Sequence, residues 1–485
     1  MLKILLTLVA SVSLLVAAGG GGGEKVYFPD ITMTWVGFSA LIVFVIGYYF
    51  VAMEEHYHID KAKPALFIGT LMFLMVAMFY AMNTGVEFPL NDGKDAVTMT
   101  AIDMKYLSIE ANHLILEIAG IFFFLFVAMT YIESLIHMGV FDKLKYNLVS
   151  KGYTYRKLFW VTGFIAFFLS PIADNLTTAL ILATVLITIE KENKAFLVPG
   201  AINIVVAANA GGAWSPFGDI TTLMAWTAGK GTFVDFLFLF PASILGYLVT
   251  AVILSKFVPE TKPEFDITKE SKPETAKGAN VVIFLGVFTI FCAVMSHQLF
   301  HLPAMWGMMF GLSLLKLYSY RLKKVHKSEF NIFHSMAKIE NNTLMFFFGI
   351  LAAVGALSFI GWLGLAVKVY DPMVLGPTWS NIGVGFLSAI VDNVPVMAAV
   401  LKADPTAIFG ADVMGLDQWM LVTLTAGVGG SMISFGSAAG VGVMGKLPGI
   451  YTFGSHMKYS WTIVIGYFVS IAVWYVQYQI LGIGA

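Results

Sequence analysis

Cysteine is nearly absent. Cys292 stands alone among 485 residues, so no disulfide can form within the chain. It lies in an apolar run, where a packing role is expected. Charge is scarce as well. Asp, Glu, Lys and Arg together make 12% of the sequence, about half the share of an ordinary soluble domain. The net charge is -1 and no basic cluster stands out, which removes the electrostatic footprint of a nucleic-acid binder. What fills the chain instead is apolar: 58% hydrophobic residues and a mean hydropathy of +0.81. Apolar runs of about 20 residues recur, the length that crosses a bilayer as a helix. A β-barrel would show short alternating segments, and these runs are continuous. The expected class is therefore an all-α polytopic membrane protein.

The first segment, 1–23, has Lys3, an apolar run Ile4–Ala18 and then Gly19–Gly23. It reads as a signal peptide or a signal anchor. The short run favours cleavage, and either reading starts the mature chain outside the cytoplasm. Spans are expected near Trp35–Ala52, Pro64–Met82 and Asn112–Ile132. An apolar hairpin follows at Leu158–Ile189, then an interrupted span at Ala195–Trp226 and another span at Phe233–Leu254. Residues 256–278 form a polar linker. Beyond it come spans near Ala279–Leu299 and Pro303–Leu315, a basic loop to Lys338, and a span at Asn341–Leu363. A second hairpin lies at Ile382–Leu401, a second interrupted span at Trp419–Gly445, and a last span at Trp461–Tyr478.

The order repeats in a fixed register. Ser170-Pro-Ile-Ala-Asp174-Asn175 and Ser388-Ala-Ile-Val-Asp392-Asn393 are 218 residues apart. The same shift pairs Gly211-Gly212 with Gly429-Gly430 and Phe217-Gly218 with Phe435-Gly436. Further upstream, Ile109-Glu-Ala-Asn-His-Leu matches Ile339-Glu-Asn-Asn-Thr-Leu. Residues 24–255 and 279–485 thus read as two repeats of five spans, each with a re-entrant hairpin and a broken helix. Five is odd, so the second repeat is inverted, the design of many secondary transporters. Loop charge supports this topology. With an outside start, the outer segments hold only Lys25, Lys94, Lys105, Lys230, Lys368 and Lys402 of the 29 Lys and Arg residues, as the positive-inside rule requires.

The chemistry concentrates at the hairpin tips and the breaks. Leu158–Ile189 is too long for one span and too short for two, so two half-length arms meeting near Pro171–Asn175 are expected. Non-helical backbone at that depth is tolerated only where it lines a protein cavity. A carboxylate, an amide oxygen and freed carbonyls form a hard-oxygen set suited to a small cation. The plain alternative is a buried Asp-Asn pair that only caps the tip, and its occurrence twice at equivalent positions favours function. The breaks, Asn209–Thr222 and Thr425–Ser437, add amides and hydroxyls. Gly and Pro cost about 1 and 3 kcal/mol inside a helix, although a glycine-rich packing face would also use them. Asp219 has no acidic counterpart at the second break, where Ser437 takes its place. Glu117 and Glu133 are candidate proton-path residues, but near span ends they more often meet headgroups. His113 and His297 lie nearest the apolar runs and read as interfacial. Asp95 and Asp103 read as solvated surface.

At these residues the chain resembles the NhaD-type sodium/proton antiporters of the ion transporter superfamily. Glu117-Ile-Ala, Phe122–Glu133, Ser170–Thr178, Asn209–Thr222 and Ser388–Pro395 carry the likeness, which covers most of the chain after residue 30. The resemblance implies exchange of cytoplasmic Na+ or Li+ for external H+ by alternating access in a bacterial-type inner membrane. It also implies a homodimer with a scaffold part and a mobile part, and no cofactor beyond the transported ions. On matching positions it points to Ser170, Asp174, Asn175, Asn209, Asp219, Thr221, Thr222, Ser388, Asp392 and Asn393, with Ser431 and Ser434 on a looser match. Cation and proton would compete for the tip carboxylates, with Na+ held by Asp174, Asn175, Asp392 and Asn393. One rival is a sodium-coupled carboxylate or oxyanion transporter of the same fold, which wants positive or hydroxyl-only tips. The other is an intramembrane aspartyl protease. Its Tyr-Asp motif would be Tyr370-Asp371, which falls beside Pro372 in a loop, and its Gly-x-Gly-Asp motif is absent.

Overall fold

A computed structural model describes residues 29–57, 59–89, 99–263, 273–326 and 330–483. The signal segment 1–23, Asp95 and part of the 256–278 linker lie outside the described residues. Within them the chain is helical apart from a small antiparallel pair, Glu87–Pro89 with Met99–Ala101. Nine helical segments of the described chain are long and apolar enough to cross a bilayer.

In chain order, α1 is Trp35–Ala52 and α2 is Ala62–Met82. The 34-residue α3 runs Met104–His137, and α4, Tyr155–Ala173, leads into α5, Asn175–Ile189. Then come α6 (Lys194–Gly212), α7 (Ile220–Thr227) and α8 (Phe240–Ser255). The second half has α9 (Ala279–Gln298), α10 (Met305–His326) and α11 (Asn341–Ile360). It continues with α12 (Pro377–Val391), α13 (Asn393–Ala403), α14 (Leu416–Gly429), α15 (Ala438–Lys446) and α16 (Ser460–Tyr475).

Two boundaries depart from the sequence reading. The expected basic loop at 316–338 is largely helical, because α10 continues through Lys316, Arg321, Lys323 and Lys324 to His326. Lys, Arg and Leu are good helix formers, and a solvated basic end costs a helix nothing. Helix α3 starts at Met104 under an Asp103 cap whose Oδ1 accepts from the Lys105 amide at 2.8 Å. Glu117 therefore lies well inside a helix, away from its end.

Small residues let the helices cross closely, since lipid supplies no hydrophobic drive between them. Helix α2 packs along α11 where Gly69 meets the Gly349 carbonyl, which a Cβ would approach to 2.1 Å. Helix α8 packs on α16 at Gly246 and Gly466 in the same way. Helix α6 is buried along almost its whole length, from Phe196 to Gly212, and α14 is buried from Gln418 to Gly429. These two helices form the centre of the molecule, and both end at a break.

Around that centre the contacts are reciprocal. Arm α4 packs on α6, and arm α12 packs on α14. The outgoing arm α5 packs on α15, beyond the second break, while α13 packs on α7, beyond the first. Close approaches recur at the 218-residue shift. A Cβ on Gly211 would come within 2.3 Å of the Phe167 carbonyl oxygen, and one on Gly429 within 2.3 Å of the Gly385 carbonyl oxygen.

Candidate functional site

Both hairpins turn on the expected residue. Asp174 joins α4 to α5 with φ 58°, and Asp392 joins α12 to α13 with φ 76°. A non-glycine residue held there costs on the order of 1–3 kcal/mol and persists only when its surroundings fix it. Each aspartate also caps the helix that follows. Asp174 Oδ1 accepts from the Thr177 amide at 2.9 Å and its Oδ2 from Thr177 Oγ1 at 2.8 Å. Asp392 Oδ1 accepts from the Asn393 amide at 2.7 Å, and its Oδ2 lies 3.5 Å from Lys61 Nζ.

The two tips meet at a third carboxylate. Asp219, buried at the start of α7, accepts at Oδ2 from Asn175 Nδ2 at 2.8 Å. Asn393 Nδ2 donates to Oδ1 and Oδ2 of the same group at 3.2 and 3.0 Å, and the Thr221 amide donates to Oδ1 at 3.1 Å. Asn175 is oriented in turn by Ser170, whose Oγ donates to its Oδ1 at 2.6 Å. Gly212 makes room for this, since a Cβ there would lie 2.3 Å from Asn175 Oδ1. One buried carboxylate thus holds an amide from each hairpin. The sequence reading centred the site on Asp174 and Asp392. Among the described residues, no hydrogen bond or ion pair joins Asp174 to Asp392 or to Asp219, so the carboxylate at the junction is Asp219.

A second polar cluster flanks the first. Asn209, fully buried at the end of α6, donates from Nδ2 to Ser431 Oγ at 2.8 Å and to Ser437 Oγ at 2.9 Å. Its Oδ1 is buried with no hydrogen-bond partner, and so is Ser434 Oγ. Buried acceptors are rarely left this way without a reason, and a cation is one. Thr222 Oγ1 donates to the Gly212 carbonyl at 3.4 Å, and Ser388 Oγ to the Ala426 carbonyl at 2.7 Å, so these two hydroxyls hold the breaks in shape.

Glu117 and Glu133 are not part of the junction. Glu117 forms an ion pair with Lys402, and it lines a cavity of about 1200 Å³ with Leu223, Met224 and Lys230. Glu133 is half-buried on α3. His113 lies 3.6 Å from Glu110, and His297 Nε2 is 3.1 Å from the Trp226 carbonyl. A second cavity, of about 700 Å³, is lined by Lys61, Leu176, Glu340 and Lys446.

Three participants escaped the sequence reading. Ser437 was visible only as the residue in Asp219's place. Lys61 read as one more inner-loop charge. His456, buried in the short helix Phe453–Met457, reaches the second break: its Nε2 is 3.0 Å from the Ser431 carbonyl and 3.2 Å from that of Met432. Its Nδ1 is 2.7 Å from Tyr451 Oη. No local spacing announces that contact.

Comparison with known proteins gives the chain's family. The family model described as a citrate transporter matches residues 48–427. The Na(+)/H(+) antiporter NhaD of Vibrio cholerae is 41% identical over 470 residues, 92% of each chain. The protein of the same name from Alkalimonas amylolytica is 39% identical, covering 92% of this chain and 91% of its own. The chain belongs to the NhaD-type antiporter family. It is accordingly a membrane transporter and not an enzyme. Among solved structures, the YdaH transporter of Alcanivorax borkumensis shares the fold, with a TM-score of 0.51 at 10% identity, covering 87% of this chain and 99% of its own. Of the stretches that carry the NhaD-type resemblance in the sequence, Ser170–Thr178, Asn209–Thr222 and Ser388–Pro395 converge around Asp219, and Glu117-Ile-Ala and Phe122–Glu133 do not.

Proposed function

We propose that this chain exchanges cytoplasmic Na+, or Li+, for external H+ by alternating access, with cation and proton competing for Asp219. The observation that carries the reading is the convergence of Asn175 and Asn393, one from each hairpin, on that single carboxylate. A buried charge needs compensation. Here three N–H donors supply it, from Asn175, Asn393 and the Thr221 amide. Turning either amide about its terminal bond replaces N–H by C=O and offers a cation an oxygen. Asn209 Oδ1 and Ser434 Oγ, with no partner of their own, are further oxygens of that kind. A proton on Asp219 cancels the charge that attracts the cation, so the two exclude each other.

Asp174 adjoins Asn175, which bonds Asp219, and Leu176, two residues on, lines the smaller cavity. It is the entry carboxylate in this account. The mobile part comprises both hairpins with α6–α7 and α14–α15. The reciprocal packing and the 218-residue register support reading the halves as inverted repeats with re-entrant hairpins. Loop charge supports an inner-membrane orientation with the mature N-terminus outside, and a homodimer completes the proposal.

The carboxylate-transport reading is weaker, because the charged group at the junction is itself an anion and would repel an anionic substrate. Purified protein in vesicles with an acidic interior decides between them. External Na+ or Li+ should raise the internal pH, and K+ or citrate should not. Citrate-dependent flux without a sodium-driven pH change would replace the proposal.

A further inference from the structure

The second break leaves two carbonyls that its own backbone does not serve. Helix α14 stops at Gly429, and the turn beyond it closes with the Ser431 amide on the Val428 carbonyl and the Met432 amide on that of Gly429. The carbonyls of Ser431 and Met432 receive no backbone donor among the described residues. Buried carbonyls need a partner. One ring nitrogen serves both: His456 Nε2 is 3.0 Å from the first and 3.2 Å from the second.

Two carbonyl oxygens facing one nitrogen fix the tautomer of the ring, because neither oxygen can donate. Nε2 carries the hydrogen, and Nδ1 accepts from Tyr451 Oη at 2.7 Å. Both side chains are buried. The short helix that carries the ring is braced as well. Thr452 and Ser455 cap it reciprocally, and the Phe453 ring stacks on Phe435 of the break at 5.6 Å.

What the ring holds leads to the oxygens open to a cation. Ser431 Oγ accepts from Asn209 Nδ2, and so does Ser437 Oγ. Both hydrogens of that NH2 are thereby committed, which leaves Asn209 Oδ1 facing away from them without a partner. The 218-residue shift sets Phe238 opposite His456 and Ala213 opposite Ser431, so the first break has neither the ring nor the hydroxyl. The first break has the charge of Asp219 instead. The second offers only neutral oxygens, and their attraction for a cation depends on their aim.

We propose that His456 is a positioning residue of the cation site: by gripping the Ser431 and Met432 carbonyls it aims Ser431 Oγ and, through it, the free oxygen of Asn209, and so sets the affinity for the transported cation. The inference rests on the cation/proton exchange proposed above and deepens it. His456 touches no ion in this account. Its role calls for a donor at the place of Nε2 and for no change of charge.

The test is half-saturating Na+ and maximal sodium-driven flux in vesicles, at one alkaline pH, for wild type, His456→Gln and His456→Asn. The Gln amide reaches the place of Nε2 and can donate there. The Asn amide is one methylene shorter, reaches only the place of Nδ1 and leaves both carbonyls without a donor. His456→Asn should raise half-saturating Na+ about ten-fold, the size of one lost hydrogen bond, with maximal flux within about three-fold of wild type. His456→Gln should stay within about three-fold of wild type in both. A purely structural role would lower yield or melting temperature and leave half-saturation alone. A folded His456→Asn protein with wild-type half-saturation overturns the proposal, and so does a His456→Gln variant shifted as far as His456→Asn. Should His456→Asn fail to fold, Tyr451→Phe answers. It removes only the hydroxyl that anchors the ring and should raise half-saturating Na+ about three-fold; an unchanged value overturns the proposal. Wild-type vesicles without sodium-driven flux would indict the exchange reading itself, a separate outcome.

Discussion

Replacing Asp219 by Asn keeps the size of the side chain and removes its charge. Asp219 now accepts from Asn175, Asn393 and the Thr221 amide. Two of those contacts become problematic, because an Asn at this position sets its own NH2 against the NH2 of a neighbour. One donor left unpaired costs about 1–3 kcal/mol, partly offset because no buried charge remains. The larger effect is on the ion. A unit charge about 4 Å away contributes on the order of 4 kcal/mol at an effective dielectric of 20. That is about a thousand-fold in cation affinity. Asp219→Asn should therefore fold, elute as wild type and show sodium-driven flux only at Na+ concentrations raised by two to three orders of magnitude, if at all. The assay is half-saturating Na+ in vesicles at fixed alkaline pH. A folded Asp219→Asn protein whose half-saturation lies within three-fold of wild type would refute the reasoning.

Two adjacent glycines should respond differently. Gly212→Ala places a methyl 2.3 Å from Asn175 Oδ1 and 2.8 Å from the Gly218 carbonyl oxygen, so half-saturating Na+ should rise about ten-fold and the melting temperature should fall as well. Gly211→Ala meets the Phe167 carbonyl at 2.3 Å, which is backbone, and such overpacking costs about 1–3 kcal/mol with no direct contact to the tip amide; half-saturating Na+ and thermal melting of the two variants check the contrast. Burial lowers the pKa of His456 from its ordinary value to about 4. The folded chain then refuses a proton that the unfolded chain accepts below pH 6.5, so stability is full above that pH and falls by about 3 kcal/mol on going down to pH 4. His456→Gln, neutral throughout, should lose that acid sensitivity in a melting series from pH 7 to 4. Asn393→Ala removes the amide oxygen that a turned Asn393 offers the cation, and losing one charge-assisted contact of about 1.5–3 kcal/mol should raise half-saturating Na+ in vesicles about ten-fold.

Much of this architecture was legible because its signals are local. Apolar length marked the spans, Pro171 and the glycine pairs marked the hairpin tip and the breaks, and a constant 218-residue shift paired one tip with the other. Both hairpins turn at the expected aspartate. What spacing does not carry is the direction of a side chain. Positive φ at Asp174, with Thr177 waiting one turn on, folds that carboxylate back onto α5. Two tip aspartates in a repeated motif therefore read as the carboxylates for which cation and proton compete, whereas it is the tip asparagines that bond the central Asp219. Asp219 was marked as the residue that breaks the symmetry, and its central place follows from that break. Lys61 and His456 make their contacts across the fold, at separations where charge or ring chemistry in the sequence gives no address. The helical continuation of α10 was hidden by its charge, since a basic run reads as loop unless helix propensity is weighed with it.

The central claim is that sodium and a proton exclude each other at Asp219. Its most direct measurement is proton release from purified protein in weakly buffered detergent solution, followed as NaCl is added across a range of pH. The account predicts protons released on Na+ binding to the wild type, an apparent Na+ affinity that falls as the pH falls, and no release from Asp219→Asn. Undiminished release from a folded Asp219→Asn protein, or Na+ binding to the wild type without release at any pH, would contradict it.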